Sequence, residues 1–217
     1  MLTCCWSVKG GSGTTVVAAS LGLLAASAPG GALLVDLAGD IPAALGLPQP
    51  TGPGIHDWLS ADTGVEGDAI EHLSEPATPG LRVVAAGDGE ADRPSSRARV
   101  ELLARTLAEQ DREVVVDLGV PKPSWQPLLS RADTSLLVIR PCYLALRRAA
   151  ALTNLPTGIV LVREPGRALG RREVEDITGV RVLAEVDVEP SIARAVDAGL
   201  LASRLPRGLS RPLRAAA

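Results

Sequence analysis

Apolar residues in this chain fall in short, nearly continuous runs, separated by stretches in which they recur at helical spacing. Leu2 to Val8 is the first run, and the glycine-rich stretch Lys9 to Thr15 after it leads into Val16 to Ala26, whose small and aliphatic residues suit a packed helix. Pro29-Gly30-Gly31 ends that helix, and Ala32 to Leu37 (ALLVDL) is a second strand with an acid near its carboxyl end. Further strand-like runs cover 81–86, 113–118 (EVVVDL), 134–139, 158–162 and 181–184, while 96–110 sets Val100, Leu103 and Leu107 on one helical face. Strands apolar throughout and alternating with helices predict an α/β fold, a single doubly wound, mostly parallel sheet with helices on both faces. The stretch from Gly39 to Pro79, rich in Pro, Gly and Asp, reads as surface loops with short helices near 42–45 and 54–59. Neither a repeat nor a linker divides the chain. One domain is expected over 1–203, followed by a solvated, flexible tail over 204–217.

Composition narrows the function classes. Among 217 residues Phe is absent and Tyr occurs once, which weakens any reading as an aromatic platform for single-stranded nucleic acid. A net charge of −3 argues against a chain that binds nucleic acid with its whole surface. Cys4, Cys5 and Cys142 have no metal-ligand spacing and read as reduced core residues, and His56 and His72 lack a third ligand. The run 16–28 is too short for a membrane span, so a cytoplasmic protein is expected. Of 22 cationic side chains only Lys9 and Lys122 are lysines, so each invites a specific explanation.

The chemistry is concentrated between the first strand and the first helix. Glycines there let the backbone approach a phosphate closely, and the helix N-terminus faces the anion. The signature GxxxxGK[ST] adds a lysine for the β- and γ-phosphates and a hydroxyl for Mg²⁺. Gly10, Gly11 and Gly13 supply the glycines and Thr15 the hydroxyl, but Thr14 stands in the lysine position. Losing one charge-assisted contact costs about 1.5–3 kcal/mol, a roughly ten- to hundredfold loss of phosphate affinity. Gly13, Asp36 and Asp117 all fall at the carboxyl ends of predicted strands, where such sheets bind ligands.

The stretch Ser7 to Thr15 (SVKGGSGTT) resembles the deviant Walker A box, KGGxGKT, of the ParA/MinD superfamily of dimeric P-loop ATPases, with Lys9 matching the signature lysine that reaches the partner's nucleotide. Four further segments are similar, in order, to its CpaE/TadZ branch: 33–47 (LLVDLAGDIPAALGL), 113–120 (EVVVDLGV), 132–148 (ADTSLLVIRPCYLALRR) and 183–199 (LAEVDVEPSIARAVDAG). The resemblance implies a cytoplasmic spatial organiser attached to pilus or secretion machinery, recruited to the membrane or a cell pole, dimerising through its nucleotide face. It implies ATP and Mg²⁺ as cofactors, held by Lys9, Gly10, Gly11, Ser12, Gly13, Thr14 and Thr15, with Thr15 and Asp36 on the metal and Asp117 in the Walker B position. The departures imply weak or lost binding and turnover. Ala38 stands where the family has a water-orienting Asp, leaving Asp40 as the carboxylate to do that work, and Arg163 stands where it has an adenine-reading Asn.

Two other readings remain. One is a nucleotide-independent dimeric scaffold. The other is a partition protein that binds DNA nonspecifically, or a membrane surface, through Arg204, Arg207, Arg211 and Arg214, a tail with no acid after Asp197. Arg147 and Arg148 read as helix-face residues, and Arg167, Arg171 and Arg172 as balancing Glu173, Glu175 and Asp176. Trp6 and Trp125 read as packing residues, and Trp58 as the tryptophan to test at an interface.

Overall fold

The computed structural model describes residues 1–61, 69–88 and 95–216. The nearly continuous apolar runs form strands β1 (Leu2–Trp6), β2 (Ala32–Asp36), β4 (Leu81–Val84), β5 (Glu113–Asp117), β6 (Thr134–Ile139), β7 (Gly158–Arg163) and β8 (Val182–Asp187). With β3 (Ser74–Thr78) they make one eight-stranded sheet in the order β3-β4-β2-β5-β1-β6-β7-β8, parallel except for β3 against β4. Strand β3 falls in the stretch expected to be loops, of which residues 62–68 lie outside the described residues. Its sequence, SEPAT, carries a proline and three polar side chains, and its central residues are exposed. Such a strand is tolerated only at an edge, where one side needs no ladder partner and the apolar pattern is lost.

Helices cover both faces because the central strands β2, β5, β1 and β6 are buried on both. Helix α1 (Thr14–Ala25), α2 (Ile41–Leu45), α9 (Pro190–Asp197) and α10 (Arg207–Leu213) close one core, around Leu34, Val83, Leu136 and Val160. Helix α3 (Ile55–Ser60), α5 (Arg97–Ala108), α6 (Gln126–Arg131), α7 (Tyr143–Ala150) and α8 (Arg171–Thr178) close the other, around Leu33, Val116, Leu137 and Leu161. A short helix, α4 (Ala69–Leu73), precedes β3. Cys4 and Cys5 are free thiols pointing one into each core, and burial pushes the Cys4 thiol up to about 12. No described helix is long and apolar enough to cross a membrane.

The arginine-containing end of the chain is structured where a flexible tail was expected. Leu209, Leu213 and Ala216 are buried against α1 and β8, while Arg207, Arg211 and Arg214 are exposed. Spacings of four and three put those arginines on one stripe, so Pro212 in the last turn does not prevent a short amphipathic helix. Leu213→Ala removes a fully buried side chain and is expected to cost about 2–4 kcal/mol, read as a lower urea midpoint. A midpoint unchanged from wild type would return this segment to the surface.

Trp58 is likewise internal. It is buried in α3, its ring lies 3.7 Å from the Arg99 guanidinium, and its carbonyl accepts from Arg99 Nη2 at 2.6 Å. That stacked, hydrogen-bonded cation lets a charged residue enter the core, and it leaves no tryptophan face for a partner.

Candidate functional site

Strand β1 lies between β5 and β6, so the chain crosses to one side for β2 and later to the other for β6. The carboxyl end of β1 is therefore the switch point where a crevice opens. The turn there is built by residues 7–13. Ser7 N–H and Ser7 Oγ both donate to Gly119 O, at 2.7 and 3.2 Å, which staples the loop after β1 to the loop after β5. Ser12 Oγ donates to Lys9 O at 3.0 Å, holding the near end of the loop. Gly11 (φ 74) and Gly13 (φ 89) adopt the left-handed conformation that side chains resist, and a Cβ on Gly10 or Gly11 would meet nothing within 4 Å. The loop thus needs glycine for its backbone path and keeps open space above it.

Helix α1 starts directly behind. No side chain caps its N-terminus and its first turn holds no acid, so its leading N–H groups face the opening. The resulting cavity of about 430 Å³ is lined by Ser7, Gly10 to Val16, Ala38, Asp40, Gly119, Lys122 and Trp125, among others. Lys9 does not line it, and its Nζ folds back onto Gly10 O at 3.0 Å. Arg148, exposed on α7 as expected of a helix-face residue, also donates to Val8 O at 3.0 Å. A single cation has too little pattern around it to show that role in sequence.

Three carboxylates lie at this end of the sheet, Asp40 lining the cavity and Asp36 and Asp117 buried behind it. Asp36 and Asp117 are paired in the β2–β5 register, and both are fully buried. Asp36 is occupied by its own loop, with Oδ1 accepting from Ala38 N (3.1 Å) and Gly39 N (2.6 Å) and Oδ2 from Ile41 N (3.0 Å). Burial raises its pKa, and those three donors pull it part of the way back. Asp36 therefore serves as the post that folds residues 37–41 and carries Ala38 and Asp40 to the cavity rim. Neither Asp36 nor Asp117 lines the cavity itself.

Asp117 differs. Oδ1 accepts from Gly119 N at 3.0 Å, the Thr15 hydroxyl lies close enough to draw the carboxyl's pKa down, and Oδ2 is buried with no partner. Burial, and to a lesser degree the charges of Asp36 and Asp40, lift its pKa from 3.8 to about 6. A buried carboxylate oxygen without a partner, beside a hydroxyl at a phosphate-type loop, fits a hard divalent cation. Among the described residues no group of three His, Cys, Asp or Glu is placed to hold a metal unaided. Mg²⁺ suits such a sparse site because it keeps waters and borrows phosphate oxygens.

Ala38 and Gly119 touch across the mouth, where a Cβ on Gly119 would come within 3.1 Å of the Ala38 Cβ. No carboxylate occupies position 38, and exposed Asp40 stands two residues on. Arg163 is exposed and paired to Asp187 (2.7 Å) and Glu185 (3.4 Å) of β8.

No protein-family model and no curated protein matches the sequence. Solved structures do match the fold. The chain is similar to a ParA family ATPase from Chlorobium tepidum TLS (TM-score 0.79, 19% identity, 98% of this chain and 96% of that one). It is also similar to the MinD cell division protein of Aquifex aeolicus (0.79, 18%, 99% and 94%). A third likeness is to the septum site-determining protein MinD complexed with Mg-ADP from Pyrococcus horikoshii OT3 (0.75, 16%, 99% and 93%). Superposition over nearly the whole of both chains at these scores gives this chain the fold of the ParA/MinD P-loop ATPases.

Proposed function

We propose that this chain holds the phosphates of ATP with Mg²⁺ over its β1–α1 loop, turns the nucleotide over slowly or not at all, and self-associates through the face on which that cavity opens. The observation that carries the reading is the unpartnered Oδ2 of Asp117 beside the Thr15 hydroxyl, under an uncapped helix N-terminus and a loop kept open by Gly11 and Gly13. In this reading the N–H groups of Gly11 to Thr15 bind phosphate oxygens, and Thr15 and Asp117 hold the cation. Asp40, on the rim, is the carboxylate available to orient water. Bound Mg²⁺ would neutralise phosphate charge beside Asp40 on the rim and above the buried Asp117. Thr14 in the lysine position and Ala38 at the mouth support weak binding and weak hydrolysis.

The solved MinD complexed with Mg-ADP supports the choice of nucleotide and metal. Exposed Val120, Tyr143 and Leu144, following the carboxyl ends of β5 and β6, support contact with a second copy on that face. The four segments similar to the CpaE/TadZ branch support a spatial organiser serving pilus or secretion machinery. Phosphate release from Mg·ATP is expected to be slow and removed by Asp40→Asn, or no faster than in an Asp117→Asn control. Rapid multiple turnover would overturn the degenerate-ATPase reading.

The arginine stripe on α10 favours a second contact, with an anionic surface such as DNA or lipid. Because α10 carries core residues, deleting it would unfold what it tests. Arg207→Glu with Arg211→Glu should instead abolish any salt-dependent binding while leaving the melting temperature in place.

A further inference from the structure

Only two lysines persist in this arginine-rich chain, and the fold brings the second of them to the phosphate loop. We propose that Lys122 supplies the ammonium contact to phosphate that Thr14 no longer provides, so that the charge of the motif has moved from the first turn of α1 to the loop after β5. The inference rests on the phosphate-binding reading above and names the residue that completes it.

Three observations carry it. Lys122 is the single cation among the described residues lining the cavity, whose lining also includes Gly10 to Thr15. Its backbone is fixed: Lys122 O accepts from Trp125 N at 3.0 Å in the 3₁₀ turn Pro123–Trp125, and the loop ahead of it is tied to the phosphate loop through Ser7 and Gly119. Its ammonium lies 5.6 Å from the centroid of the Trp125 ring, which lines the same cavity, and close enough to His56 that its charge helps keep that imidazole neutral. A lysine on a flexible four-carbon stem, half-buried beside an aromatic ring, carries a compact ammonium with the reach to meet an entering phosphate. An arginine's wide planar fork would suit that position less well. Lys9 is a weaker source of the same charge, because it lies outside the lining and is turned back onto Gly10 O.

The test titrates the full chain calorimetrically with ATP plus Mg²⁺ and with inorganic tripolyphosphate plus Mg²⁺. Lys122→Met keeps the stem and removes the charge. It is expected to weaken both ligands about ten- to a hundredfold with the ligand-free melting temperature unchanged, and Thr14→Lys in the same variant is expected to restore them. Equal binding by Lys122→Met and wild type overturns the inference and leaves the phosphate reading standing. So does a loss for ATP without one for tripolyphosphate, which would place Lys122 on the base or ribose. Failure of the wild-type chain to bind either ligand removes the phosphate reading and this inference together. Should Lys122→Met fail to fold, acylation of the wild-type protein with acetic anhydride gives the same decision. Mg·tripolyphosphate should protect Lys122 several-fold, and labelling of Lys122 unaffected by the ligand overturns the proposal.

Discussion

Asp117→Asn is expected to make the ligand-free protein more stable at pH 7 and to remove its Mg²⁺-dependent nucleotide binding. The carboxyl is fully buried, with one oxygen unpartnered, and its pKa in the fold stands at about 6 against 3.8 in the free side chain. A carboxyl raised in this way binds its proton more tightly in the native state than in the unfolded chain. Its stabilising contribution is fully present below pH 4 and is lost as the pH rises through about 6. A rise of that size corresponds to about 3 kcal/mol of destabilisation by the ionised group at neutral pH. Asparagine keeps the acceptor for Gly119 N and carries no charge, so most of that cost should be recovered as a higher melting temperature at pH 7, with little gain at pH 4. The same change removes the oxygen free for a cation. A drop in stability at pH 7, or nucleotide binding that no longer needs Mg²⁺ in wild type, would contradict this account of Asp117. A carboxylate kept buried and charged at the cost of stability is the pattern expected of a binding group.

Thr14→Lys carries the second large expectation. It restores a full charge to the first turn of α1 at a position that lines the cavity, next to leading N–H groups that lack a side-chain cap. Binding of Mg·ATP, followed calorimetrically, should tighten about ten- to a hundredfold, the value of one charge-assisted phosphate contact of about 1.5–3 kcal/mol. Thr14 is nearly fully buried, so the lysine must extend into the open space above Gly10 and Gly11. An affinity unchanged by this substitution both in wild type and in the Lys122→Met background would mean that phosphate does not sit on the loop.

The parts of the molecule legible in the sequence are those fixed by local chemistry. Apolar runs such as ALLVDL and EVVVDL can only be central strands. A glycine loop between strand and helix has few other uses, and acids closing two such strands must meet at one end of a parallel sheet. Roles that depend on the third dimension were hidden. Asp36 and Asp117 look alike in sequence, each ending a strand in Val-Asp-Leu. The loop after β2 spends three N–H groups on Asp36, whereas the loop after β5 leaves an oxygen of Asp117 unmet. Strand β3 was hidden because an edge strand with Pro76 has no alternation to read. Helix α10 was hidden because seven residues with one proline do not announce a helix, and only docking of Leu209 and Leu213 on β8 and α1 creates it. The approach of Lys122 to the loop spans more than a hundred residues of sequence and belongs to the sheet order alone.

The central claim is that the loop between β1 and α1 binds a nucleoside triphosphate with Mg²⁺, and thermal unfolding of the wild-type chain with and without that ligand tests it most directly. A ligand bound only by the folded state at about a hundred times its Kd adds about 2.7 kcal/mol, which in a domain of this size raises the melting temperature by roughly 5–10 °C. Millimolar ATP with Mg²⁺ is predicted to give such a rise, and EDTA to abolish it. A melting temperature indifferent to both would show that the cavity is not a nucleotide site.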